Sequence, residues 1–187
     1  MNLKKFVILI WIIFILCWII FYLIFPYLFT AKNIVLNLKK FNKTIIIVYF
    51  IICLLRGFTL VPSTPFVIAG VMILPQNLFC VLFISISSIA FSSTLIYYFS
   101  NYLGFDVFLN SKYPKQVQNL KIQLNKKRGM YFVFVWSFLP FFPTDLICYI
   151  GGILKIKFSK FILSLLLGEF IICLILIFFS EYLVRII

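Results

Sequence analysis

The sequence has no histidine and only four carboxylates among its 187 residues. Histidine is the commonest metal ligand and the usual general base near neutral pH. With so little material for a catalytic triad or a metal site, we expect no enzyme activity, no catalytic residue, no metal and no cofactor. The five cysteines lie in apolar runs without a close Cys-x-x-Cys pair. They are interpreted as small buried hydrophobes, with disulfide or metal roles as the alternatives.

Charged residues are also scarce, at 11% of the chain, whereas hydrophobic residues reach 65% and aromatic residues 20%. Soluble domains have about 45–50% apolar and about 25% charged residues. A chain of this length cannot bury so much apolar surface in water. The composition therefore excludes a soluble enzyme or a disordered tail, and it predicts an all-α polytopic membrane protein.

The few charges are strongly biased, with a formal net charge of +13. The lysines cluster in short connectors between apolar runs, which is typical of membrane orientation and of contact with anionic lipid head groups. We therefore expect membrane lipids with anionic or phosphate head groups as partners, and no nucleic acid. A second copy of the chain, in a homo-oligomer, is the other partner considered.

Long uncharged runs divide the chain into an N-terminal anchor with a basic connector (1–44) and a membrane domain (45–187). The anchor lacks a small-residue cleavage site after its apolar run, so we expect it to be retained. About three spanning helices are predicted. Within the membrane domain we predict the following segments: a hairpin 45–74, a span 78–104, a basic loop 105–129, a hairpin 130–154 and a span 161–184.

Both predicted hairpins are interrupted by Pro-x-x-Pro, at Pro62–Pro65 and at Pro140–Pro143. Two prolines three residues apart cannot continue a helix, and the freed backbone groups cannot face lipid. The segments therefore predict two re-entrant hairpins arranged as an internal repeat, with a transport site where the breaks meet. The alternative is a pair of proline kinks in ordinary spanning helices.

Positive charge predicts the orientation. If both broken segments re-enter, the N-terminus, the 105–129 loop and the lysines at 155–160 share one side. That side holds most positive charges, so we expect it to be cytoplasmic, in a multi-pass protein of the bacterial plasma membrane. The four lysines between 32 and 43 argue against this orientation. Within the loop, Val117, Leu120, Ile122 and Leu124 indicate a short amphipathic helix.

Three ionisable residues fall inside apolar segments, where such residues are costly. Arg56 is either snorkelling to the head groups or clamping a phosphate or carboxylate. Asp145 is either the N-cap of the following half-helix, in competition with Thr144, or a proton- or cation-binding group, or a partner for Arg56. Glu169 is a candidate proton carrier. On the central span, Ser85, Ser88 and Ser92 share one helical face, for close packing or for lining a polar groove.

The breaks and these ionisable residues define the candidate site. The substrate-binding or transport residues are Arg56, Pro62, Ser63, Thr64, Pro65, Gly70, Pro140, Pro143, Thr144, Asp145 and Gly151. The candidates for proton or ion coupling are Asp145 and Glu169.

Three blocks of the sequence resemble a known family. Leu55-Arg56-Gly57-Phe58-Thr59-Leu60-Val61-Pro62-Ser63-Thr64-Pro65 with Ala69-Gly70 is similar to the first conserved block of the DedA-like, SNARE-associated Golgi protein (VTT-domain) family. The segments 98–104 and 140–152 resemble the end of the next helix and the second block. The order and spacing agree from about residue 45 to 184.

The resemblance implies two opposed re-entrant hairpins and a lipid-handling role, namely scrambling or flipping of phospholipids or of lipid-phosphate carriers. The chain departs from the family pattern at three places. Ser137 and Asn101 replace frequent arginines, and Ile73-Leu74-Pro75 replaces a frequent Phe-Gly. The absence of these arginines favours a looser groove or an inactive member of the family.

Three functions therefore remain open at this point. The first is a lipid transporter or scramblase-like protein. The second is a proton- or cation-coupled transporter of a small solute. The third is a non-transporting membrane assembly factor.

Overall fold

The computed structural model describes residues 3–103, 114–140 and 142–186, and every regular element in these ranges is helical. The helices are α1 (Leu3–Ile24), α2 (Ala31–Leu38), α3 (Ile45–Arg56), α4 (Thr64–Ile73), α5 (Leu78–Leu103), α6 (Pro114–Asn125), α7 (Lys127–Phe138), α8 (Thr144–Ile153) and α9 (Phe158–Ile186). Within the described residues α1, α5 and α9 are long and apolar enough to cross a membrane. The all-α membrane fold is therefore confirmed.

Each Pro-x-x-Pro lies between two short helices. The first break separates α3 from α4, and the second separates α7 from α8. The arms of the first hairpin are joined by Tyr49, whose hydroxyl donates to the carbonyl of Phe66 at 3.0 Å. Gly70 makes this approach possible, because a Cβ there would overlap the Tyr49 ring and hydroxyl. The arms of ten to twelve residues are too short to span a bilayer on their own.

The two repeats are interlocked. The half-helix α4 packs more extensively on α9 than on its own span α5, and α8 packs mainly on α5 rather than on α9. One span, α5, lies between the hairpins along the chain. If each hairpin returns to the side from which it enters, the two hairpins therefore enter from opposite sides and their tips point toward each other.

The outer surface of the bundle is apolar. No residue of the apolar stretch Phe6–Ile24 is buried, and α5 exposes Phe79 (85%) and Phe83 (73%). Such rings are expected where a helix faces lipid rather than water. The N-terminal helix contacts the bundle through Trp11, whose indole N–H donates to the Tyr149 hydroxyl at 3.2 Å and whose ring packs on Phe99.

The basic region between the repeats is partly helical. Residues 104–113, which include Asp106 and the start of the predicted loop, lie outside the described residues. The predicted amphipathic helix is present as α6. Only Val117 is buried on it, whereas Leu120 and Ile122 are exposed. The second hairpin begins at Lys127, a few residues earlier than predicted. Asn125 accepts a hydrogen bond from the Lys157 backbone N–H at 3.1 Å, which joins α6 to the second basic connector.

Candidate functional site

The tips of the two hairpins are in direct contact. The hydroxyl of Thr64, at the start of α4, donates to the carbonyl of Pro140 in the second break at 2.9 Å. Other backbone groups freed by the prolines are also satisfied inside the protein. The Val61 carbonyl accepts from Arg56 at 3.4 Å, and the Pro143 carbonyl accepts from the Trp136 indole at 3.4 Å. These three carbonyls are therefore bonded inside the protein instead of being exposed to lipid, and the one at Pro140 joins the two breaks.

Arg56 ends α3 at the tip of the first hairpin and is buried, with 5% of the residue exposed. Its Nη1 lies 3.5 Å from Oδ2 of Asp145. The side chains of this pair are 4% and 2% exposed, so the contact is shielded from solvent. Of the two interpretations of Arg56, the structure therefore supports the clamp over snorkelling, and the carboxylate that it holds belongs to the other hairpin.

Asp145 lies in the first turn of α8, and it is not the N-cap. The helix begins at Thr144, the capping position is Pro143 in an extended conformation, and no side chain caps the helix. The capping interpretation was therefore wrong for both Asp145 and Thr144. The carboxylate still lies near the positive end of the half-helix dipole, where negative charge is stabilised.

The third charged group is Glu169, which comes from the span α9 and is 1% exposed. Its Oε1 accepts a hydrogen bond from the Thr144 hydroxyl. Oε2 is buried and has no hydrogen-bond partner among the described residues. Thr144 and Asp145 are adjacent in the chain, so the second hairpin tip connects Arg56 on one side with Glu169 on the other.

These three side chains make up the buried charge at the tips. With both carboxylates ionised, one guanidinium faces two negative charges, and Arg56 interacts electrostatically with both. One added proton or cation would make this group neutral. Among the described residues, no cluster of three or more His, Cys, Asp or Glu side chains is arranged to hold a metal ion.

The serine face of α5 packs against the first tip. Ser85, Ser88 and Ser92 are all buried, and a Cβ at Gly57 would overlap the Ser92 side chain. A small pocket beside Arg56, lined in part by Ser63, Ser85 and Ser88, has a volume of about 10 Å³. That is roughly the space of a single water molecule. The serines therefore serve close packing and do not line an open groove.

The remaining predicted residues shape the breaks. Pro62, Ser63 and Pro65 are half-buried in the first break or at the start of α4. Gly151 packs on the Phe161 ring, where an added Cβ would come within 2.9 Å of the ring. Gly70 and Gly151 therefore leave room for neighbouring aromatic rings, and the structure shows a packing role for both.

Ser137, one of the positions at which the sequence departs from the family pattern, also lies in this region. Ser137 is 2% exposed and donates to the Val133 carbonyl at 2.9 Å. Ser137 packs on Gly168, because a Cβ added at Gly168 would lie only 2.9 Å from the Cβ of Ser137. Gly168 directly precedes Glu169 in the chain, so Ser137 packs on the residue before this carboxylate.

A larger cavity, which the sequence did not indicate, reaches Arg56 from the other side. Its volume is about 340 Å³, and it lies between α1, α2 and the first hairpin. The lining is mainly apolar and includes Trp18, Phe29, Leu38, Ile52 and Phe66. Long apolar helices carry little sequence signal for which aromatic residue faces a cavity and which faces lipid.

Candidate spans, paired broken helices and a buried charged centre define a polytopic membrane protein with an internal site. A protein-family model described as the VTT domain matches residues 61–182, well over half of the chain. The chain therefore belongs to the VTT domain family, that of the DedA and SNARE-associated Golgi proteins. Asp145 and Glu169 fall within the matched residues, and Arg56 precedes them. No curated protein and no solved structure gave a significant match.

Proposed function

We propose that this protein moves phospholipids or lipid-phosphate carriers between the two leaflets, with the head group passing the hairpin tips. The observation that carries the proposal is the buried Arg56–Asp145 pair, which joins the two tips at 3.5 Å. A guanidinium presents several donors in a planar fork that suits phosphate. Phosphate can take the place of Asp145 beside the same group.

The contacts at the tips support a pathway that opens and closes. Among the described residues, the two hairpins have one hydroxyl contact and one ion pair as polar links, which is few for breaks inside an apolar protein. When a phosphate replaces Asp145 at Arg56, the tips can separate without leaving the arginine unpaired. The head group is then shielded from lipid tails, while the acyl chains remain in the bilayer.

The basic surface supports an orientation for this pathway. Exposed lysines on α6 and on the connector before α9 lie at one end of the molecule, joined through Asn125. We place this end and the N-terminus in the cytoplasm of a bacterial cell, with the protein in the plasma membrane. Anionic lipids of the inner leaflet would then be attracted toward the second hairpin.

A dithionite assay tests the proposal. The full chain is reconstituted in liposomes that contain a trace of fluorescent phosphatidylglycerol, and dithionite is added outside. Wild-type protein should allow quenching well beyond the outer-leaflet half. Asp145→Asn and Arg56→Lys should each slow the inner-leaflet phase at least five-fold, because each changes the pairing at the tips. Size-exclusion profiles establish that the variants are folded.

Glu181→Gln on α9 is the matched control, since it removes a carboxylate that is not fully buried from the same helix as Glu169. It should leave the quenching rate unchanged. Quenching that stops at the outer-leaflet half with folded wild-type protein would reject movement of this lipid. Equal rates in the wild type and both tip variants would reject the tips as the pathway.

A second function, proton- or cation-coupled transport of a small solute, is favoured by one specific observation. The buried centre has two carboxylates for one arginine, and Oε2 of Glu169 has no hydrogen-bond partner in the described part of the chain. Under this function, Glu169→Gln should abolish uptake driven by an ion gradient and leave lipid movement intact. Under the lipid function, Glu169→Gln should instead change the rate of lipid movement.

A further inference from the structure

We infer that the cavity between α1, α2 and the first hairpin is a phospholipid-binding site, which takes one acyl chain along its walls and the phosphate beside Arg56. The inference rests on the proposed function, because it names the substrate class and its place of entry. The volume of about 340 Å³ lies within the range of about 300–1,000 Å³ that is usual for ligand sites.

The walls of the cavity suit a hydrocarbon chain. Leu38, Ile52 and Phe66 contribute apolar surface from α2, α3 and α4, and Phe29 contributes from the turn before α2. An apolar cavity does not hold ordered water, and an empty one leaves its walls without contacts. Hydrocarbon is available next to it, because α1 forms one wall and none of its residues from Phe6 to Ile24 is buried.

The polar groups of the cavity suit a phosphate at one end. The guanidinium of Arg56 reaches both Val61 and Asp145 through Nη1, which leaves Nε and Nη2 for a ligand. Trp18 also lines the cavity, and its buried indole N–H has no hydrogen-bond partner among the described residues. Both groups can only donate, so the complementary ligand is an acceptor, and the arginine makes it an anionic one.

The other polar side chains of the cavity are already bonded and do not compete. The Thr59 hydroxyl donates to the Arg56 carbonyl at 2.7 Å. Asn37 donates to the Asn33 carbonyl at 3.0 Å and accepts from Lys40 at 3.0 Å. An amphiphile with a hydrocarbon chain and one phosphate therefore matches what the cavity offers, whereas a polar solute does not.

Photo-crosslinking tests this inference. The full chain is placed in phosphatidylcholine liposomes with a trace of phosphatidylglycerol that carries a diazirine on one acyl chain. A second set of liposomes carries the same labelled chain on diacylglycerol, which lacks the phosphate. After illumination, the labelled residues are mapped by mass spectrometry. We expect labels on cavity residues, at least three-fold more from phosphatidylglycerol than from diacylglycerol.

Two tryptophan variants of α3 compare a filled cavity with an unchanged one. Ile52→Trp fills the cavity, whereas Ile47→Trp adds the same ring to a residue outside the cavity that is 62% exposed. Ile52→Trp should reduce labelling of the cavity at least five-fold, and Ile47→Trp should change it less than two-fold. Trp18→Phe removes the indole N–H and keeps an aromatic ring. Trp18→Phe should therefore reduce the excess of cavity labelling by phosphatidylglycerol over that by diacylglycerol.

Competition on the wild type keeps the test valid if Ile52→Trp does not fold. Excess unlabelled phosphatidylglycerol should reduce cavity labelling and leave labelling of the outer surface of α1 unchanged. Labels spread evenly over the lipid-facing surface, or equal labelling by both lipids, would overturn the inference. The dithionite assay on the same liposomes separates the two proposals. Labelling without translocation rejects only the proposed function, and translocation without labelling rejects only the cavity.

Discussion

The buried pair between the hairpin tips should show a large coupling energy. At the 3.5 Å separation of Arg56 and Asp145, an effective dielectric constant of about 20 gives an attraction of about 4–5 kcal/mol. Removing one partner of a buried pair typically costs about 3–5 kcal/mol, because the other charge is left unpaired. In a Glu169→Gln background, where neither charge has a second partner, we therefore expect Arg56→Gln and Asp145→Asn each to lower the free energy of unfolding by about 3–5 kcal/mol.

The double substitution should cost much less than the sum of the two single ones, with a coupling energy of about 3 kcal/mol. The cycle is best measured in a Glu169→Gln background, because otherwise the loss of Arg56 leaves two buried carboxylates without a cation. Steric trapping in bicelles gives the free energies. A coupling energy below about 1 kcal/mol, the value of an exposed ion pair, would refute the assignment of this contact as a buried link between the repeats.

Two further substitutions test the packing around the pair. Thr144→Val keeps the shape of the side chain and removes the donor to Glu169, so unfolding should become easier by about 1–3 kcal/mol; an unchanged denaturation midpoint would speak against this hydrogen bond. Gly152→Ala places a Cβ onto the Tyr97 carbonyl and should destabilise the protein by about 1–3 kcal/mol, measured in the same way. A stability equal to wild type would mean that α8 and α5 do not approach as closely as described.

Much of the architecture follows from local rules that a single sequence displays. Uncharged runs of sufficient length predicted the three spans, and prolines three residues apart predicted the two breaks. These signals are strong because a bilayer penalises charge and unpaired peptide groups over a fixed thickness. Helices α7 and α9 begin at Lys127 and Phe158, each three residues before the predicted start of the corresponding segment.

The connections between side chains were harder to predict. The pairing of Arg56 with Asp145 was one of several alternatives, because it depends on how two distant hairpins dock. The capping interpretation of Thr144 was wrong because its hydroxyl bonds to Glu169 on another helix, a tertiary contact that competes with the local one. The cavity beside Trp18 was missed, since an almost uniformly apolar helix has little periodicity to separate its faces.

The contact between the hairpin tips also has a consequence for how the chain is made. About 90 residues separate Arg56 from Asp145, and ribosomes add about 5–20 residues per second. Arg56 is therefore synthesised about 5–20 s before the carboxylate that neutralises it. During that interval the first hairpin cannot enter the bilayer core without an unpaired cation. Because that burial is costly, we expect the first hairpin to settle into the bilayer core only after the second half of the chain has arrived.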